Sequence, residues 1–234
     1  MVAMATCMVV TACQPQAVQA RWDAEGLTVG RRISVADPGP VPDTVGGHDL
    51  TMRSDATAAV TVVGGAPGQG VALAFPESGY TALTAAQSST LSPHDRDIEV
   101  SAWVSIDAAD IGQGSNVMQQ GTYYQDEWKL ELDGGRAGCR FADGDVRSGA
   151  HQASVQSSVR VDDGAWWMVT CRKTATQVTV VAERVGGSGP QVRSAASQVG
   201  SIDSTEPVMV GSKGIPSDPD QFRGRADNID VRFP

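Results

Sequence analysis

The chain has 234 residues, enough for one large domain with a sizeable core, and its 26 glycines and 12 prolines break it into short segments. Its formal charge is −9, with Lys and Arg scattered rather than clustered. An acidic surface repels phosphate backbones and anionic lipid, which sets aside nucleic-acid and anionic-membrane partners.

Residues 1–20 carry no charged side chain and read as an export leader. Val10-Thr11-Ala12-Cys13 has the pattern of a bacterial lipobox, so Cys13 is the expected lipidation site. Val18-Gln19-Ala20 offers a second cut of the ordinary signal-peptidase kind. Both lead to a secreted or cell-surface protein, lipid-anchored in the first case. No apolar run reaches the ~18–20 residues of a membrane span. Residues 21–234 then form one domain, with no linker dividing them.

Along that domain the apolar period is two, the period of strands. His48 to Met52 and Gly70 to Phe75 read as strands, the second with Val71, Leu73 and Phe75 on one face. From Ile98, the residues Ile98, Val100, Ala102, Val104 and Ile106 face one way; Glu99, Ser101, Trp103, Ser105 and Asp107 face the other. A loop from Gly121 to Glu127 leads into Trp128, Leu130 and Leu132, which alternate with Lys129, Glu131 and Asp133. Gly134-Gly135 makes a hairpin turn into Arg136 to Phe141. The Ser- and Gln-rich stretch from Gln152 to Ser158 reads as an edge strand. Trp166 to Lys173 pairs with a strand marked by Val178 and Val180. Val208 and Val210 precede a polar loop, and Phe222 to Phe233 closes the chain. Sustained helical periodicity is absent, so the fold class is all-β.

Removal of the leader leaves the domain with Cys139 and Cys171. Ala137, Cys139 and Phe141 share one strand face, and so do Trp167, Val169 and Cys171. An oxidising compartment permits the two cysteines to pair if their strands are neighbours.

The series resembles a laminin-G-like domain of the concanavalin A-like lectin and glucanase superfamily. The matching pieces are Trp22, Asp43 to Met52, Gly70 to Phe75 with Tyr80, Val100 to Val104, Trp128 to Leu132, Asp163 to Trp167, Val210-Gly211 and Phe222 to Val231. The resemblance implies a jelly-roll β-sandwich of two antiparallel sheets. It implies a carbohydrate or an extracellular protein as partner, and a calcium ion at one edge.

Oxygen ligands for Ca²⁺ come from Asp227, Asp23 and Asp43, with Asp218, Asp220, Asn228 and Asp230 nearby in sequence. The phase of Asp227 with Ile229 and Val231 turns it inward. For a sugar, the expected aromatic contacts are Tyr123 and Tyr124 in their loop, and Trp103 on an otherwise polar strand face.

Glucanases of this superfamily need two glutamates flanking an aspartate on one strand. Glu131-Leu132-Asp133 supplies half of that motif before the chain turns. Glu127 is read as preceding the strand in a loop. The expected function is therefore an exported, non-catalytic glycan-binding domain. The alternatives are a protein–protein adhesion or envelope scaffold module, and a divergent glycoside hydrolase.

Overall fold

The computed structural model describes residues 17–55, 57–86, 89–112, 114–214 and 220–234. The expected lipidation site Cys13 and the metal candidate Asp218 lie outside the described residues.

Sixteen strands carry the described fold. They are β1 (Ala17–Trp22), β2 (Arg32–Ile33), β3 (Leu50–Ser54), β4 (Val60–Gly64), β5 (Val71–Ala74), β6 (Thr81–Ala85), β7 (Ile98–Ser105) and β8 (Ser115–Gly121). They continue with β9 (Asp126–Asp133), β10 (Arg136–Asp143), β11 (Gln152–Gln156), β12 (Trp167–Lys173), β13 (Gln177–Arg184), β14 (Gln191–Ala196), β15 (Val208–Val210) and β16 (Arg225–Phe233).

One sheet has nine strands in the order β14-β13-β12-β7-β16-β5-β4-β2, with β1 on the second half of β16. The other has seven, in the order β11-β10-β9-β8-β15-β6-β3. Every ladder is antiparallel, and the two sheets form the jelly-roll sandwich that the strand series implies. Among the described residues no helix is long and apolar enough to cross a membrane.

The core lies between the sheets because the inward phase of each strand is apolar. Ile98, Val100, Ala102 and Val104 of β7 are fully buried, as are Trp128, Leu130 and Leu132 of β9. Two buried indoles need partners and have them: Trp22 donates to His48 O (2.8 Å) and Trp128 to Gln120 Oε1 (3.0 Å).

Cys139 and Cys171 are bonded. Their strands are neighbours across the core rather than within a sheet: β10 belongs to the seven-stranded sheet and β12 to the nine-stranded one. The bridge clamps the two layers together and contributes about 3–4 kcal/mol in chain-entropy terms.

The first strand begins at Ala17, four residues ahead of the boundary expected at Arg21. Val18 and Ala20 pair with Arg232 and Val231, and Ala20 is buried. A cut after Ala20 would remove four of the six residues of β1, whereas a cut before Cys13 leaves the strand whole.

Candidate functional site

The outer face of the seven-stranded sheet carries a cleft of about 600 Å³. Alternation along β9 builds its floor. Trp128, Leu130 and Leu132 point into the core, so Glu127, Lys129, Glu131 and Asp133 point outward. Arg140 lies across from Lys129 on β10, and Gln119 lies across from it on β8.

Glu127 thus belongs to β9, not to the loop before it. The polar run ahead of Trp128 hides this, because Asp126 and Glu127 pair with Asp143 and Ala142 without any apolar alternation of their own. Glu127 and Glu131 share one face, with Lys129 between them where a glucanase motif would carry aspartate.

Glu127 and Lys129 at the centre of the floor are almost closed to solvent, whereas Glu131 and Arg140 are half-buried and Asp133 is exposed. Glu127 is 1% exposed and accepts two hydrogen bonds from the Arg140 guanidinium, at 2.7 and 2.8 Å. Lys129, 2% exposed, pairs with Glu131 and lies 3.7 Å from Asp220. Lys213 pairs with Asp220 at 2.6 Å. Burial alone would lower the affinity of Arg140 for its proton, but the hydrogen bond and charge of Glu127 outweigh it and hold the guanidinium above its ordinary range. Burial alone would likewise raise Asp220, yet Lys213 and Lys129 bring its carboxyl below the usual range. The Gln119 amide donates to Gly121 O (2.8 Å), and its buried Oε1 has no partner among the described residues.

Tyr123 and Tyr124 form the rim. They are 42% and 52% exposed and meet edge to face, with centroids 5.1 Å apart. Arg140 sits 5.3 Å from the Tyr123 centroid and Arg147 sits 3.6 Å from that of Tyr124, so each ring is braced by a guanidinium. Gly121 starts this loop at φ +82°; a Cβ there would lie 1.7 Å from Asp126 O.

Trp103 does not join them. It lies on the outer face of the other sheet, half-buried against Ala66, Ala72 and Trp166. Its polar strand neighbours concealed this apolar patch, which the β4–β5 connection and the segment before β12 supply.

The third region surrounds Asp227. Its phase with Ile229 and Val231 does not hold, because β16 bulges between Asp227 and Asp230 and Asn228 takes φ +45°. Asp227 therefore faces outward beside its register partner Trp103, yet remains 2% exposed. Its Oδ1 accepts the Asn228 N–H (2.7 Å), while its buried Oδ2 has no hydrogen-bond partner among the described residues. Burial, with the negative charges of Glu25 and Asp23, pushes this carboxyl up to about 6.

Asp43 is committed elsewhere. It accepts backbone N–H groups of Arg21, Val45 and His48 at 2.8–2.9 Å. Asp230 is held by Arg21 and Arg232. Among the described residues no three His, Cys, Asp or Glu side chains are grouped so as to hold a metal ion.

The sequence matches no model of a known protein family, and no curated protein matches it. Its fold is similar to that of the binding domain of Paraclostridial Mosquitocidal Protein 1, with TM-score 0.65 and 12% identity over 92% of this chain and 48% of that one. It is also similar to domain 4 of AbnA, a GH43 extracellular arabinanase from Geobacillus stearothermophilus, solved in complex with arabinotriose. That match has TM-score 0.62 and 11% identity, over 93% of each chain. The enzymatically active domain of tailspike protein 2 from bacteriophage CBA120 matches with TM-score 0.58 and 14% identity, over 79% of this chain and 29% of that one. The chain thus spans about half the length of the mosquitocidal binding domain. At these identities the likeness is one of fold.

Proposed function

We propose that this is an exported, non-catalytic binding domain whose cleft on the seven-stranded sheet takes a neutral glycan. The observation that carries the reading is the pairing of an exposed aromatic rim, Tyr123 and Tyr124, with a polar floor whose three cations are each already paired with an acid. Aromatic rings offer a face to the C–H side of a sugar, and fixed carboxylates and ammonium groups hydrogen-bond its hydroxyls. Three lining cations, Lys129, Arg140 and Lys213, meet four lining acids, Glu127, Glu131, Asp133 and Asp220. No surplus positive charge awaits an anionic ligand. The arabinotriose complex of AbnA domain 4 is a precedent for a neutral oligosaccharide on this fold. The laminin-G-like assignment and placement at the cell surface, with lipid at Cys13, are part of this reading; the integrity of β1 favours a cut before Cys13 over one after Ala20.

An array of neutral and anionic glycans tests it. Neutral oligosaccharides bind the wild type and lose at least about tenfold in affinity in Tyr123→Ala/Tyr124→Ala. Binding that survives this double change removes the cleft from the account.

Glu127 and Glu131 raise a hydrolase reading, since they share a strand face in the cleft. Their spacing is that of the glucanase motif itself, so what speaks against hydrolysis is what holds the two carboxylates. Arg140 occupies both oxygens of Glu127, and Lys129 stands between the two acids. No reducing sugar should therefore be released from any glycan that binds. Release that is abolished by Glu131→Gln would reverse this.

We propose calcium as a structural ion beside Asp227, although no three acids are grouped there among the described residues as they stand. Its Oδ2 has no partner among the described residues, and a Cβ at Gly65 would come within 2.9 Å of that oxygen, so the glycine leaves room there. Asp227 and Asp23 would hold the ion, with Glu25 in the place expected for Asp43. Ligation would require Glu25 and Asp23 to close on Asp227, drawn by the cation's charge. The ion's part would be to neutralise three acids and tie the amino-terminal segment to β16.

A further inference from the structure

Among the described residues the sandwich has an open side where the two sheets end in unpaired edges. There β11 ends the seven-stranded sheet and β14 ends the nine-stranded one. A groove of about 510 Å³ runs between them, and its lining contains no acidic residue although the chain carries −9. Two arginines flank it. Arg136 projects from the outer face at the start of β10 and, among the described residues, donates to the main-chain carbonyls of Ser157 and Ser158. Arg193 comes from the opposite sheet. It stands across from buried Val180, so it projects toward the inter-sheet side, and no acid among the described residues pairs with it.

The edge of β11 suits an added strand. Its ladder with β10 runs from Gln152 to Gln156 without a bulge, and it contains neither Pro nor Lys. Ser157 N–H donates to Ala137 O (2.7 Å) and Asp143 N–H to His151 O, which sets the phase of the ladder. In an antiparallel pair alternate residues exchange both bonds, so the N–H and C=O of Ser154 and Gln156 turn to the free edge. Edges of this kind are templates for another extended chain unless they are blunted.

We propose that this groove binds an extended acidic peptide segment, which adds as a strand to β11. Side chains of the added strand alternate between its two faces. Adjacent acidic residues therefore meet Arg136 on one side and Arg193 on the other, while main-chain bonds to Ser154 and Gln156 fix the register. The groove shares no lining residue with the glycan cleft, although Asp133 of the cleft lies across from Arg136 on β9.

The probe is a fluorescent hexapeptide, Thr-Val-Glu-Glu-Val-Thr, with its Lys-Lys counterpart and a dextran sulfate oligosaccharide as comparisons. Anisotropy should show the acidic peptide binding the wild type and the basic one failing. Arg136→Gln/Arg193→Gln should weaken it about tenfold or more. Ser154→Pro should do the same, because it removes an edge donor without touching the β10 ladder. Amide exchange confirms that this variant keeps the β10–β11 bonds. Three results overturn the proposal. One is no binding of the acidic peptide. Another is peptide binding indifferent to Ser154→Pro in a folded variant. The third is dextran sulfate bound in its place. Aggregation of Arg193→Gln without any peptide affinity in the wild type would instead make Arg193 an edge-protecting charge.

Discussion

On the outer face of the nine-stranded sheet, Trp103 packs against Trp166, Ala66 and Ala72, and Asp227 lies buried beside it. On the outer face of the seven-stranded sheet, Tyr123 and Tyr124 stand exposed above a floor whose cations are each paired with an acid. Both faces combine aromatics with carboxylates. They differ in what covers them. The β4–β5 connection and the segment before β12 close over Trp103, whereas the Tyr123–Tyr124 loop rises from the sheet and leaves the cleft open. An aromatic at an outward strand position is therefore a binding candidate only when no neighbouring connection buries it.

The largest expected effect tests the paired floor. Arg140→Met leaves the Glu127 carboxylate buried without its partner and should cost about 3–5 kcal/mol in chemical denaturation. The double change Glu127→Met/Arg140→Met should recover a large part of that loss. A small effect of the single change would mean that Arg140 does not neutralise Glu127.

Trp103→Ala should come next, at about 2–3 kcal/mol, since it opens a space under the β4–β5 connection. Glycan affinity should stay within about twofold in the folded variant. A loss of affinity at unchanged stability would erase the distinction between the faces.

Asp227→Asn sharpens the other half of the comparison. The folded carboxyl titrates at about 6, above its ordinary value. Its protonated form therefore favours the fold at low pH, and that contribution is lost as pH rises from about 4 through about 6. In EDTA at pH 7 the variant should gain about 1–3 kcal/mol over the wild type and show a flatter melting profile from pH 4 to 7. With millimolar Ca²⁺ the order should reverse, because only the wild type gains from the ion. A wild type whose melting temperature ignores both EDTA and Ca²⁺ would remove calcium from this edge.

The smallest stability effect belongs to the rim. Tyr123→Ala/Tyr124→Ala should shift stability by about 0.5 kcal/mol or less, since both rings are exposed.

The strands that build both faces were legible because alternation survives in the sequence: β7 and β9 carry unbroken apolar phases, and the Gly134-Gly135 hairpin is visible as a dipeptide. The phase of Asp227 was not, because a bulge at Asn228 resets it and only the asparagine itself hints at a left-handed residue. Glu127 escaped because nothing apolar alternates ahead of Trp128. The remaining floor, Gln119, Arg140, Lys213 and Asp220, is assembled by pairing between strands and loops far apart in the chain, which local pattern does not encode. Tyr123 and Tyr124, chosen for their loop position, stand exposed at the rim of the cleft, whereas Trp103, chosen for its polar neighbours on one strand, is half-buried by residues from elsewhere.

The central claim is that the Tyr123–Tyr124 cleft takes a neutral glycan. Titration calorimetry of one neutral oligosaccharide, chosen from the array, against the wild type, Tyr123→Ala/Tyr124→Ala and Trp103→Ala tests it most directly. The account predicts heat of binding for the wild type and Trp103→Ala, and at least about tenfold weaker binding for the tyrosine pair. Equal affinity in all three proteins, or binding confined to sulfated and uronic oligosaccharides, would contradict it.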